Sequence, residues 1–122
     1  MPRLHRSILL GRLKSEFPEL RAALNEWGGL LNLEISAWAD FTQLAIQSEA
    51  RDTVRKSFHI AHEFYVGGNR DLQNAIAVSF LEDLNFGNHK WAWELLTREL
   101  KNELQALIES GMAPPLQFDR SA

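Results

Sequence analysis

Cysteine is absent from the 122 residues. That excludes a disulfide framework, a thiolate nucleophile and any thiolate-held zinc or iron–sulfur centre. Long apolar runs are missing too, since nothing approaches the roughly 20 residues that a membrane span requires. The first 20 positions carry Arg3, Arg6, Arg12 and Lys14, with Glu16 and Glu19 close behind, so no uninterrupted signal-peptide core is visible. The expected address is the cytoplasm. No charge sign dominates: 13 Lys and Arg stand against 16 Asp and Glu, a formal net charge of −3. A dedicated nucleic-acid binder draws its affinity from cations meeting phosphates, so this balance argues against one. There is no glycine-rich phosphate loop, and none of the serines sits in a nucleophile-elbow context.

What the chain does hold is a core. About 45% of its residues are apolar and 24% are charged, the composition of a folded domain with room for one hydrophobic centre. Leu9, Leu13 and Phe17 recur every four residues and define one face of a first helix. Pro18 stops it and can open a second, whose stripe is Leu20, Leu24 and Trp27 and whose end is Gly28-Gly29. A third contains Leu31, Ile35, Trp38, Phe41, Leu44 and Ala45, with Asn32 and Ser36 both candidate caps and a short extended start as the alternative. The fourth spans about 48–66 and closes at Gly67-Gly68. Asn69 or Asp71 caps a fifth over 72–84. A turn at Asn85–Asn88 leads into one long sixth helix that reaches Gly111.

The expected fold is therefore all-α, a compact single-domain array of five to six helices over residues 1–111 with an extended tail over 112–122. The fifth helix is the expected hub. Leu72, Ala75, Ile76, Ala77, Val78, Phe80, Leu81 and Leu84 surround it, and a helix apolar on all sides belongs inside.

Against that frame a few residues stand out. Glu82 and Asp83 fall where the macrodipole of the hub helix is negative, which disfavours carboxylates by roughly 0.3–1 kcal/mol each. Either Arg70, Lys90 or another basic side chain compensates, or both simply face water, or the pair forms an acidic rim beside the Asn85–Asn88 turn, aimed at a basic partner. Trp91 lies roughly 200 degrees from Trp93 on the same wheel, so both cannot enter one narrow stripe. An open tryptophan is favoured at interfaces; the alternative is a cover supplied by the tail or the first helix. His59 and His62 beside Glu63 have the wrong order for the His-Glu-x-x-His zinc pattern, and no Glu-x-x-His pair of the di-iron type occurs. Arg51, Arg55 and Lys56 make a small basic face without an aromatic platform for bases. No catalytic, cofactor-binding or metal-binding residue is assigned.

The block Val54–Phe86, with Phe58-His59-Ile60-Ala61-His62-Glu63-Phe64 and Asn74-Ala75-Ile76-Ala77-Val78-Ser79-Phe80-Leu81-Glu82-Asp83-Leu84, resembles a family of short, uncharacterised, all-helical bacterial proteins. Phe17-Pro18-Glu19-Leu20 is similar to the start of the same family. Proteins of this kind resemble immunity proteins that neutralise bacterial toxins. The resemblance implies a binding role and carries no catalytic residue. The leading expectation is a non-enzymatic protein-binding module that occludes a basic toxin domain through Glu82, Asp83, Asn85, Asn88 and Trp91. A small-ligand or regulatory domain with a pocket around Trp38, Phe58, His62 and Tyr65 is the alternative, followed by an enzyme of unrecognised type.

Overall fold

The computed structural model describes residues 3–118 and is all-α. Helix α1 spans Arg6–Glu16 and buries Leu9, Leu10 and Leu13. Pro18–Leu20 form a single 3-10 turn before α2, Arg21–Glu26. Leu20 and Leu24 go into the core as the spacing predicts, but Trp27 does not and is 38% exposed. The reason is local. α2 stops at Glu26, two residues after Leu24, so Trp27 falls outside the helix, and Gly29 at φ +87° then redirects the chain.

Helix α3, Leu31–Gln47, is continuous from its first residue, so the extended start is not adopted. Neither Asn32 nor Ser36 caps it. Both instead reach the next layer: Asn32 Oδ1 accepts from Ser79 Oγ at 3.3 Å, and Ser36 Oγ donates to Asp83 Oδ2 at 3.4 Å. Leu44, placed on the inner stripe by its spacing, is 65% exposed. Helix α4 covers Arg51–Gly67 and buries Val54, Phe58, Ile60, Ala61 and Phe64. Where α3 meets α4, the indole N–H of Trp38 donates to Ser57 Oγ at 2.8 Å, and the Thr42 hydroxyl lies 2.6 Å from the same oxygen. These buried polar atoms thereby satisfy one another, which removes the desolvation cost each would otherwise carry.

The corner after α4 is held from the N-terminal side. Leu4 N–H donates to Gly67 O at 2.9 Å, and Asn69 N–H returns a bond to Leu4 O at 2.8 Å. Asn69 then caps α5, Arg70–Ala75, by accepting from Leu72 N–H at 2.9 Å. α5 continues without a break as a π-helical segment, Ile76–Leu81. Its widened turn is closed by Glu82 N–H donating to Ala77 O at 3.2 Å. This rod is the hub. Leu72, Ile76, Phe80 and Leu81 are wholly buried, and α3 packs along it more extensively than any other helix pair contacts. Val78 is the exception at 37% exposed, while Ser79 is buried. A wide turn advances by fewer degrees per residue than an α-helix, so the regular wheel misplaces residues beyond Ala75.

The long sixth helix is two helices. α6 runs Lys90–Leu95, follows His89 rather than an Asn88 cap, and ends where Leu96 turns extended at φ −67° and ψ 141°. Thr97 then starts α7, Arg98–Glu109, with its hydroxyl accepting from Leu100 N–H. His62 Nδ1 lies 2.9 Å from the same hydroxyl and ties the break to α4. Trp93, Leu96, Leu100, Leu104 and Leu107 are nevertheless all buried. After α7 the chain is irregular, and Ala113 is buried while Leu116 and Phe118 pack against the core. Of the expected extended tail, residues 119–122 lie outside the described residues. No helix is long and apolar enough to cross a membrane.

Candidate protein-interaction site

Helix α3 shows two faces. Ile35, Trp38, Ala39, Thr42 and Ile46 point inward. Leu33, Ala37, Asp40 and Leu44, spaced 4-3-4, fall within roughly 60 degrees on the outer side. Leu33 is 41% exposed, and Leu30, just before the helix, is 54% exposed. Between α2 and this outer face runs an open groove of about 330 Å³, lined by Ala23, Trp27, Leu33, Ser36, Ala37 and Asp40. Its walls are apolar on the α2 side and polar towards the end of the hub.

That polar edge is where Asp83 arrives. The hub ends at Leu81, with Glu82 in the cap position, and the next residue swings Asp83 against α3 through Ser36. Partial burial raises the Asp83 carboxyl above its ordinary range, the charge of Asp40 raises it further, and the Ser36 hydrogen bond opposes both. Among the described residues neither Glu82 nor Asp83 forms an ion pair. Among the described residues the expected compensation by Arg70 is therefore not made through a salt bridge to either. Glu82 Oε2 is enclosed with no hydrogen-bond partner among the described residues.

A raised carboxylate pKa has a defined consequence for folding. The native state holds the Asp83 proton more tightly than the unfolded chain does, so Asp83 favours folding less as pH rises through the carboxylate range. Asp83→Asn is expected to raise the melting temperature at pH 7, with the gain shrinking towards zero at pH 3, where the parent carboxyl is already protonated. Parallel thermal melts at the two pH values check this, and a pH-independent difference would refute it.

The turn beyond Asp83 is clamped rather than loose. Gln43 Nε2 donates to Asn85 O at 2.8 Å, and Asn85 N–H donates to Gln43 Oε1 at 2.8 Å. Asn85 Oδ1 accepts from Gly87 N–H, and Gly87 sits at φ +55°, a conformation that favours glycine. Asn88 is exposed beside it. Asp83 and Asn85 thus share one edge with Ser36, Asp40 and Gln43, with Glu82 and Asn88 flanking them in the chain. Trp91 has other neighbours. It is half-buried, with the Arg51 guanidinium 4.5 Å from its ring centroid and the His89 ring against it, and its indole nitrogen is enclosed with no hydrogen-bond partner among the described residues. The tail covers Trp93 instead, Phe118 standing 6.4 Å away ring to ring.

The sequence pattern gives no special weight to Trp27, Leu33 or Asp40, although the 4-3-4 spacing of the outer α3 residues is a readable second stripe. The four residues of the alternative small-ligand pocket divide among three places. Trp38 and Phe58 both pack against Phe80, Tyr65 donates to Glu103, and His62 meets Thr97. His59 is exposed, and among the described residues no three His, Asp or Glu side chains gather as a metal would require.

A protein-family model described as a domain of unknown function, DUF7674, matches residues 10–113. No curated protein and no solved structure matches the chain.

Proposed function

We propose that this chain, which belongs to the DUF7674 family, is a non-enzymatic protein-binding module that recognises a basic partner. The observation that carries this reading is Asp83, bonded to Ser36 and near enough to Asp40 to feel its charge, beside a groove walled by the exposed side chains of Trp27 and Leu33. An aspartate made costlier to ionise by a neighbouring carboxylate, with no ion pair among the described residues, gains most from a cation supplied by a partner. Exposed aromatic and aliphatic side chains next to this aspartate supply the apolar part of an interface. Trp91, half-buried under the Arg51 guanidinium, supplies a further aromatic surface to the same reading.

The finer proposal is a bacterial immunity protein, acting in the cytoplasm and neutralising one toxin domain by covering it. The small all-helical domain and the acidic edge formed by Glu82, Asp83, Asn85 and Asn88 support it. Occlusion of this kind needs no cofactor, metal or catalytic residue in the chain. Co-expression with the product of the adjacent gene is expected to yield a stoichiometric complex on size-exclusion chromatography. The combined substitution Glu82→Lys, Asp83→Lys and Trp91→Ala is expected to weaken it by roughly a hundredfold or more, since reversed charges repel a basic surface and an anchor is lost. A triple variant that binds as well as the parent would remove this edge from the interface.

A further inference from the structure

We propose that the outer face of α3 is the seat for one amphipathic helix of the partner protein, carrying Lys or Arg along its polar edge. This rests on the protein-binding reading above and names the chemistry of the occupant. Leu33, Ala37, Asp40 and Leu44 lie in line, and at 1.5 Å per residue Leu33 and Leu44 are about 16 Å apart, three turns of helix. Hollows lie at both ends of that line. One is the groove floored by Ala37 between Trp27 and Leu33. The other, of about 260 Å³, is lined by Glu19, Phe41, Leu44, Ala45, Ser48, Ala50 and Thr53. Side chains one to two turns apart on a docked helix would fill such hollows, as ridges enter grooves in helix packing.

The charges select among occupants. Asp40 stands at the middle of the stripe, and Asp83 approaches it from the hub. A second copy of this chain, paired symmetrically about the middle of α3, would set Asp40 near its own counterpart, and like charges so placed are destabilising. A helix with Lys or Arg opposite Asp40 meets the same two carboxylates with opposite charge. The small side chain of Ala37 lets that helix come close.

The test uses the full chain and two synthetic peptides of about 18 residues, long enough for a stable docked helix. Both carry Leu at heptad positions and no Trp; one has Lys and the other Glu at the flanking positions. Calorimetric titration is expected to show the Lys peptide binding at least about tenfold more tightly than the Glu peptide. Asp40→Lys and, separately, Ala37→Gln are each expected to weaken the Lys peptide by roughly tenfold. Glu109→Lys makes the same change of net charge at the exposed end of α7 and is expected to leave it within about twofold. Circular dichroism and melts establish that each variant is folded. Equal losses from Asp40→Lys and Glu109→Lys, or equal binding of both peptides, would overturn the proposal. So would a complex with the adjacent gene product that survives Asp40→Lys and Ala37→Gln but is broken by Glu82→Lys and Asp83→Lys, an outcome that leaves the protein-binding reading standing. Failure of both the complex and the peptide would sink the two together.

Discussion

Gly68→Ala is expected to destabilise the fold by about 3 kcal/mol, at the upper end of the usual cost of forcing extra atoms into a packed site. A Cβ at this position would lie 2.1 Å from the carbonyl oxygen of Phe64 and 3.1 Å from Leu72 Cβ. Neither atom belongs to a flexible side-chain end, so the backbone itself has to shift. Gly68 is not in a left-handed conformation, its φ being −80°; the demand is for space alone. Three parts meet there: the end of α4, the Asn69 cap of α5, and the Leu4 strand-like bridge. A shift at Gly68 therefore weakens several hydrogen bonds together. The neighbouring glycine supplies the control. A Cβ on Gly67 would meet Leu4 Cδ1 at 3.2 Å, a side-chain end that can rotate away, and alanine is the better helix former by roughly 1 kcal/mol. Gly67→Ala is accordingly expected to stay close to the parent. Urea unfolding with an unchanged slope separates the two variants, and a Gly68→Ala midpoint equal to that of Gly67→Ala would contradict the geometry.

Arg6→Ala is expected to cost about 2–3 kcal/mol. Glu34 is 1% exposed, and both its oxygens are held by the Arg6 guanidinium, at 2.7 Å from Nε and 2.6 Å from Nη2. Removing one member of a buried pair strands the other charge and typically costs about 3–5 kcal/mol. The arginine side chain is 37% exposed, so water can reach the carboxylate from that side and the expected loss is smaller. Arg6→Lys keeps the charge but not the two-pronged geometry, and an intermediate loss is expected. The double variant Arg6→Met, Glu34→Leu removes both charges and keeps apolar volume, so it is expected to recover most of the stability lost in Arg6→Ala. Thermal and urea melts of the three variants check this. A double variant no more stable than Arg6→Ala would mean that the pair acts through something other than a stranded charge.

How far the sequence carries depends on which interactions decide each element. The apolar stripes of α1 and α4 are read directly because burial repeats with the helical period and no local feature competes. Gly67-Gly68 and Asn69 mark the corner after α4 for the same reason: their backbone chemistry is local. The long sixth helix is misread because its apolar stripe passes through Leu96 without interruption, while the break depends on Thr97 acting as a cap and on His62 from another helix. The phase of the hub beyond Ala75 is misread because a π turn cannot be seen in a period assumed to be constant. Glu34 illustrates a different limit. Nothing in its neighbourhood marks it as buried, since its partner Arg6 lies 28 positions away. The acidic edge is half legible. Glu82 and Asp83 conflict with the helix dipole, which is a local signal, but Asp40 and Trp27 join them only through the packing of α2 and α3. Trp91, conspicuous on the wheel, turns out to lie beneath Arg51.

The four indoles occupy four different surroundings. Trp38 is sealed in the core with its N–H bonded to Ser57, Trp93 is enclosed beneath Lys101, and Trp91 is overlain by Arg51. Trp27 alone of the four is open to solvent over more than a third of its surface, and it stands on the wall of the α2–α3 groove. Emission collected at the red edge is thus weighted towards the groove, and a collisional quencher such as acrylamide reaches that indole first. The molecule carries an optical gauge of its own for whatever settles there, with no label attached.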